Sequence, residues 1–101
     1  MFDLSGKRVL ITGATGGIGK ELSKSFLEVG ASIILSGTNI KRLESLKDNL
    51  NQECEVFKCD LTNIDDINDL LNYLDGSGGV DVLINNAGKT EDNLLMRMSD
   101  E

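Results

Sequence analysis

Arg8-Val9-Leu10-Ile11-Thr12-Gly13-Ala14-Thr15-Gly16-Gly17-Ile18-Gly19 decides how the chain folds. A short, largely apolar run leads into a glycine turn, and a helix-period pattern leaves it, which reads as strand, turn and helix start. The glycines at 13, 17 and 19 suit three tasks: a tight turn, the approach of a phosphate to bare backbone, and close packing of the helix on the sheet. Unpaired N–H groups in the first helical turn, with the positive end of the helix dipole, hold an anion without any basic side chain. The guest such a turn is shaped for is a dinucleotide pyrophosphate. Its spacing, T-G-x-x-x-G-x-G, differs from the commoner G-x-G-x-x-G. Taken alone it is also an ordinary glycine-rich connection, so the rest of the chain has to decide.

The rest of the chain has the composition of a folded α/β protein. Of 101 residues 40% are hydrophobic and 27% charged, with no proline, tryptophan or histidine, which describes one globular domain at most and excludes a histidine-based metal site. The net charge of −7 argues against a nucleic-acid footprint. Met1-Phe2-Asp3-Leu4-Ser5-Gly6-Lys7 lacks the blocks of a signal peptide, and no apolar run reaches membrane-spanning length, so the cytoplasm is the expected address. Cys54 and Cys59 are five apart on one expected strand, on opposite faces, and read as reduced packing residues.

Ile18, Leu22, Phe26 and Val29 recur at helical spacing, with Gly30 placed for a left-handed C-cap. Ala31 to Ser36 reads as a buried parallel strand, completing a strand–helix–strand crossover. Ile40, Leu43, Leu46 and Leu50 mark a second helix capped by Asn39. Glu53 to Leu61 reads as a third strand. Thr62 or Asn63 then caps a helix carrying Ile64, Ile67, Leu70, Leu71 and Leu74, with Asp65 and Asp66 at its positive end. Gly76-Ser77-Gly78-Gly79 ends that helix, and Val80 to Ile84 is the fourth strand, followed by Asn85-Asn86-Ala87-Gly88.

Alternating strands and helices predict a Rossmann-type, doubly wound parallel sheet with helices on both faces. Ligands in such sheets sit at the carboxyl ends of the strands. The informative residues fall there: the glycine turn, Gly37-Thr38, Asp60 and Asn86. Ser99-Asp100-Glu101 looks like a cap and an acidic first turn whose helix does not follow, so the chain reads as the front part of a longer domain, stopping after the fourth strand.

With Thr12-Gly13-x-x-x-Gly17-x-Gly19, Asp60 and Asn85-Asn86-Ala87-Gly88 in place, the chain resembles the classical short-chain dehydrogenase/reductases over essentially its whole length. The segment Thr90 to Glu101 is similar to that of the bacterial 3-oxoacyl-acyl-carrier-protein reductases of fatty-acid synthesis. The resemblance implies that Gly13, Ala14, Thr15, Gly16, Gly17, Ile18 and Gly19 wrap the pyrophosphate. It places Thr38 near the adenosine ribose, Asp60 and Leu61 at the adenine edge, and Asn86, Ala87 and Gly88 beside the ribose and nicotinamide. Asn86 has an equally strong structural reading, as an amide tying the fourth strand to its neighbours. The resemblance further implies NADP(H) as cofactor, an acyl-carrier-protein-linked substrate and a homotetrameric parent protein.

Ser36-Gly37-Thr38-Asn39 carries no acid where NAD-specific relatives place one, which favours NADPH, and Lys41 or Arg42 could meet a 2′-phosphate, although each taken singly reads better as part of an exposed helix face. Gly16 stands where many NADP-preferring relatives have a basic residue, and Lys89 where the family usually has an apolar one. The resemblance implies catalysis by an asparagine, a serine and a Tyr-x-x-x-Lys pair, and none of these can be placed in this sequence. Its single tyrosine, Tyr73, is followed at the fourth position by Ser77 and reads as a packing residue. Three functions stay open: the 3-oxoacyl reductase, a reductase of another carbonyl, and a nucleotide-binding module without chemistry.

Overall fold

The computed structural model describes residues 3–50 and 54–86. Seven elements follow one another: β1 (Arg8–Ile11), α1 (Gly17–Glu28), β2 (Ser32–Gly37), α2 (Ile40–Leu50), β3 (Glu55–Lys58), α3 (Ile64–Gly76) and β4 (Val82–Ile84). The strands form one sheet in the order β3-β2-β1-β4, every pair parallel. The order reverses direction between β1 and β4, and a crevice opens at the carboxyl ends of strands at such a point.

Strand alternation divides the core in two. Val9, Ile11, Ile33 and Leu35 are buried with Leu43 and Leu46 of α2, and Phe26 and Leu27 of α1 pack against them. Leu10 and Ile34 point the other way, onto Ile67, Leu70 and Leu74 of α3. Helices therefore cover both faces, and β1 and β2 are buried on both, which explains their unbroken apolar runs. Cys54 and Cys59, both free, fall into opposite halves of this core.

Helix ends follow local chemistry. The Asn39 side chain accepts from the Arg42 N–H at 3.1 Å, and Asn63 Oδ1 accepts from Asp65 and Asp66 at 2.9 and 3.2 Å. Gly30, at φ +92°, takes the left-handed position after α1.

The expected strands are trimmed. β3 runs Glu55–Lys58 rather than from 53 to 61, and β4 begins at Val82 rather than Val80. Cys59 still donates to the Gly37 carbonyl at 2.8 Å, but Asp60 turns away from the ladder to bond Thr62. The apolar stripe expected on α1 is also rotated. Ile18 is 69% exposed, whereas the fully buried residues of the helix are Gly19 and Ser23. Small residues face inward because the helix lies close to the turn before it, and Ser23 is satisfied by donating Oγ to the Gly19 carbonyl at 2.7 Å.

At the amino end of the strands Arg8 gathers three segments. Its guanidinium meets both Glu55 carboxylate oxygens at 3.0 and 2.9 Å and donates to the Ser77 and Gly79 carbonyls, each at 3.0 Å. It lies 5.8 Å from the centre of the Tyr73 ring. Tyr73 donates its hydroxyl to Glu55 and stacks obliquely on Phe57 at 5.0 Å, so it is the packing residue expected. The Arg8 N–H is received by the Asp81 carboxylate at 2.8 Å.

Burial pushes the Glu55 carboxyl up, but hydrogen bonds from Tyr73 and Arg8 and the guanidinium charge outweigh it and hold the group below its usual range. A carboxyl depressed in the folded state adds stability above its unfolded value, about 4.3, and loses it as pH falls through the folded value. The thermal midpoint of the wild type is expected to drop from pH 5 to pH 3 more than that of Glu55→Gln, which starts lower at pH 7. Parallel curves would show that the pair carries no pH-dependent stability. Arg8→Met is expected to cost about 1–3 kcal/mol in urea unfolding, because it leaves several partly buried acceptors unpaired.

Candidate functional site

A cleft of about 430 Å³ opens at the carboxyl ends of the strands. Thr12, Gly13, Thr15 and Gly16 wall it from β1 and its turn, Ser36, Gly37 and Thr38 from β2, Cys59 to Thr62 from β3, and Asn86 from β4. Seven sequence-predicted residues thus meet in one place: Gly13, Thr15, Gly16, Thr38, Asp60, Leu61 and Asn86. Ala14 does not line the cleft; it is fully buried beneath the turn, with its N–H donated to the Ser36 carbonyl at 3.1 Å. Gly17 and Ile18 lie exposed at the start of α1. Ala87 and Gly88 lie outside the described residues, as does Lys89. Lys41 and Arg42 are exposed on the first turn of α2 and are not part of the cleft wall.

The glycine turn is built by backbone crowding. Gly13 has φ +59°, a conformation that glycine adopts without penalty. A Cβ on Gly19 would sit 2.7 Å from the Gly13 oxygen and 2.8 Å from both Cα and O of Ala14. Gly19 is therefore fixed by the turn itself and not, as expected, by packing on the sheet. A Cβ on Gly17 would meet nothing within 4 Å, so space remains there for a ligand.

α1 starts from Gly16 with no side-chain cap, unlike α2 and α3 with their asparagines. The first intrahelical bond is Lys20 N–H to the Gly16 carbonyl, so the N–H groups of Gly17, Ile18 and Gly19 precede it. An anion is the natural partner for such a turn.

β4 is latched to this turn. Thr12 donates its N–H to the Ile84 carbonyl at 3.0 Å. Its buried hydroxyl donates to the same carbonyl at 3.3 Å and accepts from the Asn86 N–H at 3.1 Å. Asn86 Nδ2 donates to the Gly13 carbonyl at 3.2 Å, so its tying role is visible in the structure. Thr12 belongs to the glycine-turn motif, yet its latch depends on a partner 74 residues away.

The electrostatics of the far wall are acidic. Asp60 Oδ1 accepts from the Thr62 hydroxyl at 2.6 Å and the Thr62 N–H at 2.9 Å, which hold its carboxyl below the usual range. Both bonds fall on one oxygen, leaving the other as an acceptor. The Cys59 thiol is pushed up to about 11, first by burial and then by the charges of Asp66, Asp60 and Asp69. It stays protonated at neutral pH and is a poor nucleophile.

An open parallel sheet with an uncapped glycine turn at its switch point defines the class of nucleotide-binding α/β folds. The family model for short chain dehydrogenase matches residues 7–101. The chain belongs to that family.

It is 41% identical over 101 residues to Nodulation protein G of a Rhizobium species, covering 99% of this chain and 41% of the relative. It is also 41% identical over 100 residues to the 3-oxoacyl-(acyl-carrier-protein) reductase FabG of Vibrio cholerae, with 98% and 41% covered. The chain thus spans about two fifths of these relatives. Hydroxysteroid dehydrogenase from Escherichia coli superposes with a TM-score of 0.76 at 35% identity, over 86% of this chain and 39% of that one. The Pseudomonas aeruginosa RhlG/NADP complex superposes at 0.86 over 95% of this chain and 46% of that one, at 22% identity, and speaks for the fold.

Among the described residues no helix is long and apolar enough to cross a membrane. None of their His, Cys, Asp or Glu form a group that could hold a metal ion.

The crowding at Gly19 separates two neighbouring glycines. Gly19→Ala is expected to lower stability by about 1–3 kcal/mol, the usual cost of overpacking, and with it the thermal midpoint, while Gly17→Ala leaves stability within about 0.5 kcal/mol of wild type. Equal midpoints for the two variants would contradict the geometry of the turn.

Proposed function

We propose that the polypeptide carrying this chain is an NADPH-dependent reductase of 3-oxoacyl groups borne by acyl carrier protein, and that these residues form its cofactor-binding half. The observation that carries the cofactor part is the uncapped start of α1 beside open space at Gly17. The relatives named FabG support the substrate part.

In this reading the turn from Gly13 to Gly19 wraps the pyrophosphate: the N–H groups of Gly17, Ile18 and Gly19 receive it, Gly17 leaves room for it, and Ala14, whose N–H is held by the Ser36 carbonyl, seats the turn from beneath. Thr38 meets the adenosine ribose. The free oxygen of Asp60 accepts from the adenine amine, and Leu61 supplies an apolar edge. Asn86, Ala87 and Gly88 line the ribose and nicotinamide, with Asn86 also keeping β4 in register.

The bound nicotinamide supplies the hydride that turns a 3-oxo group into a 3-hydroxy group. The described residues bind and orient; the one tyrosine is committed to Glu55 at the opposite end of the sheet. The proposal therefore assigns proton transfer to groups outside the described residues. The absence of an acid at Ser36 to Asn39 favours NADPH over NADH, since no carboxylate repels the 2′-phosphate there.

Fluorescence titration of the protein with NADPH and NADH tests the cofactor. NADPH is expected to bind at least tenfold tighter; Gly17→Val removes binding of both while the fold persists, and Thr38→Asp shifts the preference toward NADH. Absence of NADPH binding overturns the reading. The substrate is tested by following NADPH consumption with acetoacetyl-acyl-carrier-protein and with a ketosteroid, a comparison prompted by the hydroxysteroid dehydrogenase likeness. Turnover of the steroid alone would keep the reductase and replace its substrate.

A further inference from the structure

We infer that Asp66 is a positioning residue for the adenine end of the cleft, setting the Asp60–Thr62 turn through the backbone N–H of Asp60. The inference deepens the dinucleotide reading and rests on it for its ligand.

Asp60 stands where the chain leaves the sheet, one residue past the last bond to β2. Its side chain closes on Thr62 through the hydroxyl and the N–H. Its carbonyl accepts from the Asn63 N–H at 2.9 Å. Its own N–H has left the ladder, and it is donated to Asp66 Oδ2 at 2.9 Å. The backbone on which Asp60 and Leu61 present themselves to the cleft is therefore fixed at both polar groups, and one of these anchors is the Asp66 carboxylate.

Asp66 is itself well held. It sits half-buried in the first turn of α3, with its N–H on the capping Asn63 at 3.2 Å. A helix start favours any carboxylate, and the exposed Asp65 beside it meets that need equally. What separates the two is the bond that the Asp66 carboxylate accepts from the Asp60 N–H, outside the helix. A bond from a backbone N–H to a charged acceptor is stronger than a neutral one. Asp66 lies outside the cleft wall, so its influence on a ligand runs through Asp60 and Leu61.

The experiment compares Asp66→Ala, Asp66→Asn and Asp65→Ala with wild type in two measurements. Hydrogen exchange of the Asp60 amide is expected to lose protection in Asp66→Ala and keep it in Asp66→Asn, whose amide oxygen still accepts; Asp65→Ala behaves as wild type. Calorimetric titration with adenosine 5′-monophosphate is expected to show about tenfold weaker binding in Asp66→Ala, under threefold in Asp66→Asn, and no change for nicotinamide mononucleotide in either. Unaltered Asp60 exchange in Asp66→Ala overturns the inference, as does equal weakening by alanine and asparagine or equal loss of both mononucleotides. If wild type binds neither nucleotide the functional reading fails, and the exchange measurement still decides whether Asp66 sets the turn.

Discussion

Everything at the carboxyl end of the sheet depends on how closely α1 approaches the turn that precedes it. The Gly13 carbonyl receives the Gly16 N–H at 3.3 Å and the Asn86 side chain at 3.2 Å. A Cβ at position 19 would stand 2.7 Å from the same oxygen. No side chain fits at position 19, so α1 meets the turn backbone to backbone, and its start carries no side-chain cap. A bare helix start is a source of positive potential whose N–H groups await an acceptor. Crowding on one side of the turn and openness on the other are one arrangement.

From this turn the organisation spreads across the sheet. Thr12 and Gly13 take hold of β4 through Ile84 and Asn86, so the floor of the cleft and its latch share residues. β2 contributes through the Ser36 carbonyl, which receives Ala14. β3 reaches the cleft only by ending early, since Asp60 must leave the ladder to fold back on Thr62. At the other end of the same strands Arg8 ties β1 to Glu55 of β3 and to the loop after α3.

The elements were readable because their signals are local. The apolar periods that mark the three helices, the asparagines at 39 and 63, and the glycine at 30 each act within a few residues, and the helices and their ends fall where expected, although the buried face of α1 does not. The parallel sheet followed from their alternation. Residues with a clear strand-end position, such as Thr38, Asp60 and Asn86, line the cleft, and strand ends are readable for the same reason. What escaped depends on distant partners: Arg8 meets Glu55 47 residues away, and Thr12 meets Asn86 across 74. Ile18 fits a helical stripe by spacing, but which stripe turns inward is decided by the closeness of α1 to Gly13 and Ala14. That closeness favours Gly19 and Ser23, two residues a hydrophobic count ignores. The early end of β3 and the late start of β4 were hidden because valine and cysteine fit a strand and the irregular residues beside it equally well. The expectations for Ala87 and Gly88 lie outside the described residues.

The Arg8 assembly stands a full strand length from the glycine turn and shares none of its side chains. The ion-pair network is thereby kept apart from the rim on which the cleft opens. A protein engineer seeking heat tolerance has a natural workbench at the Arg8 pole, where charges and aromatic fillers can be exchanged without redrawing the surface a ligand meets.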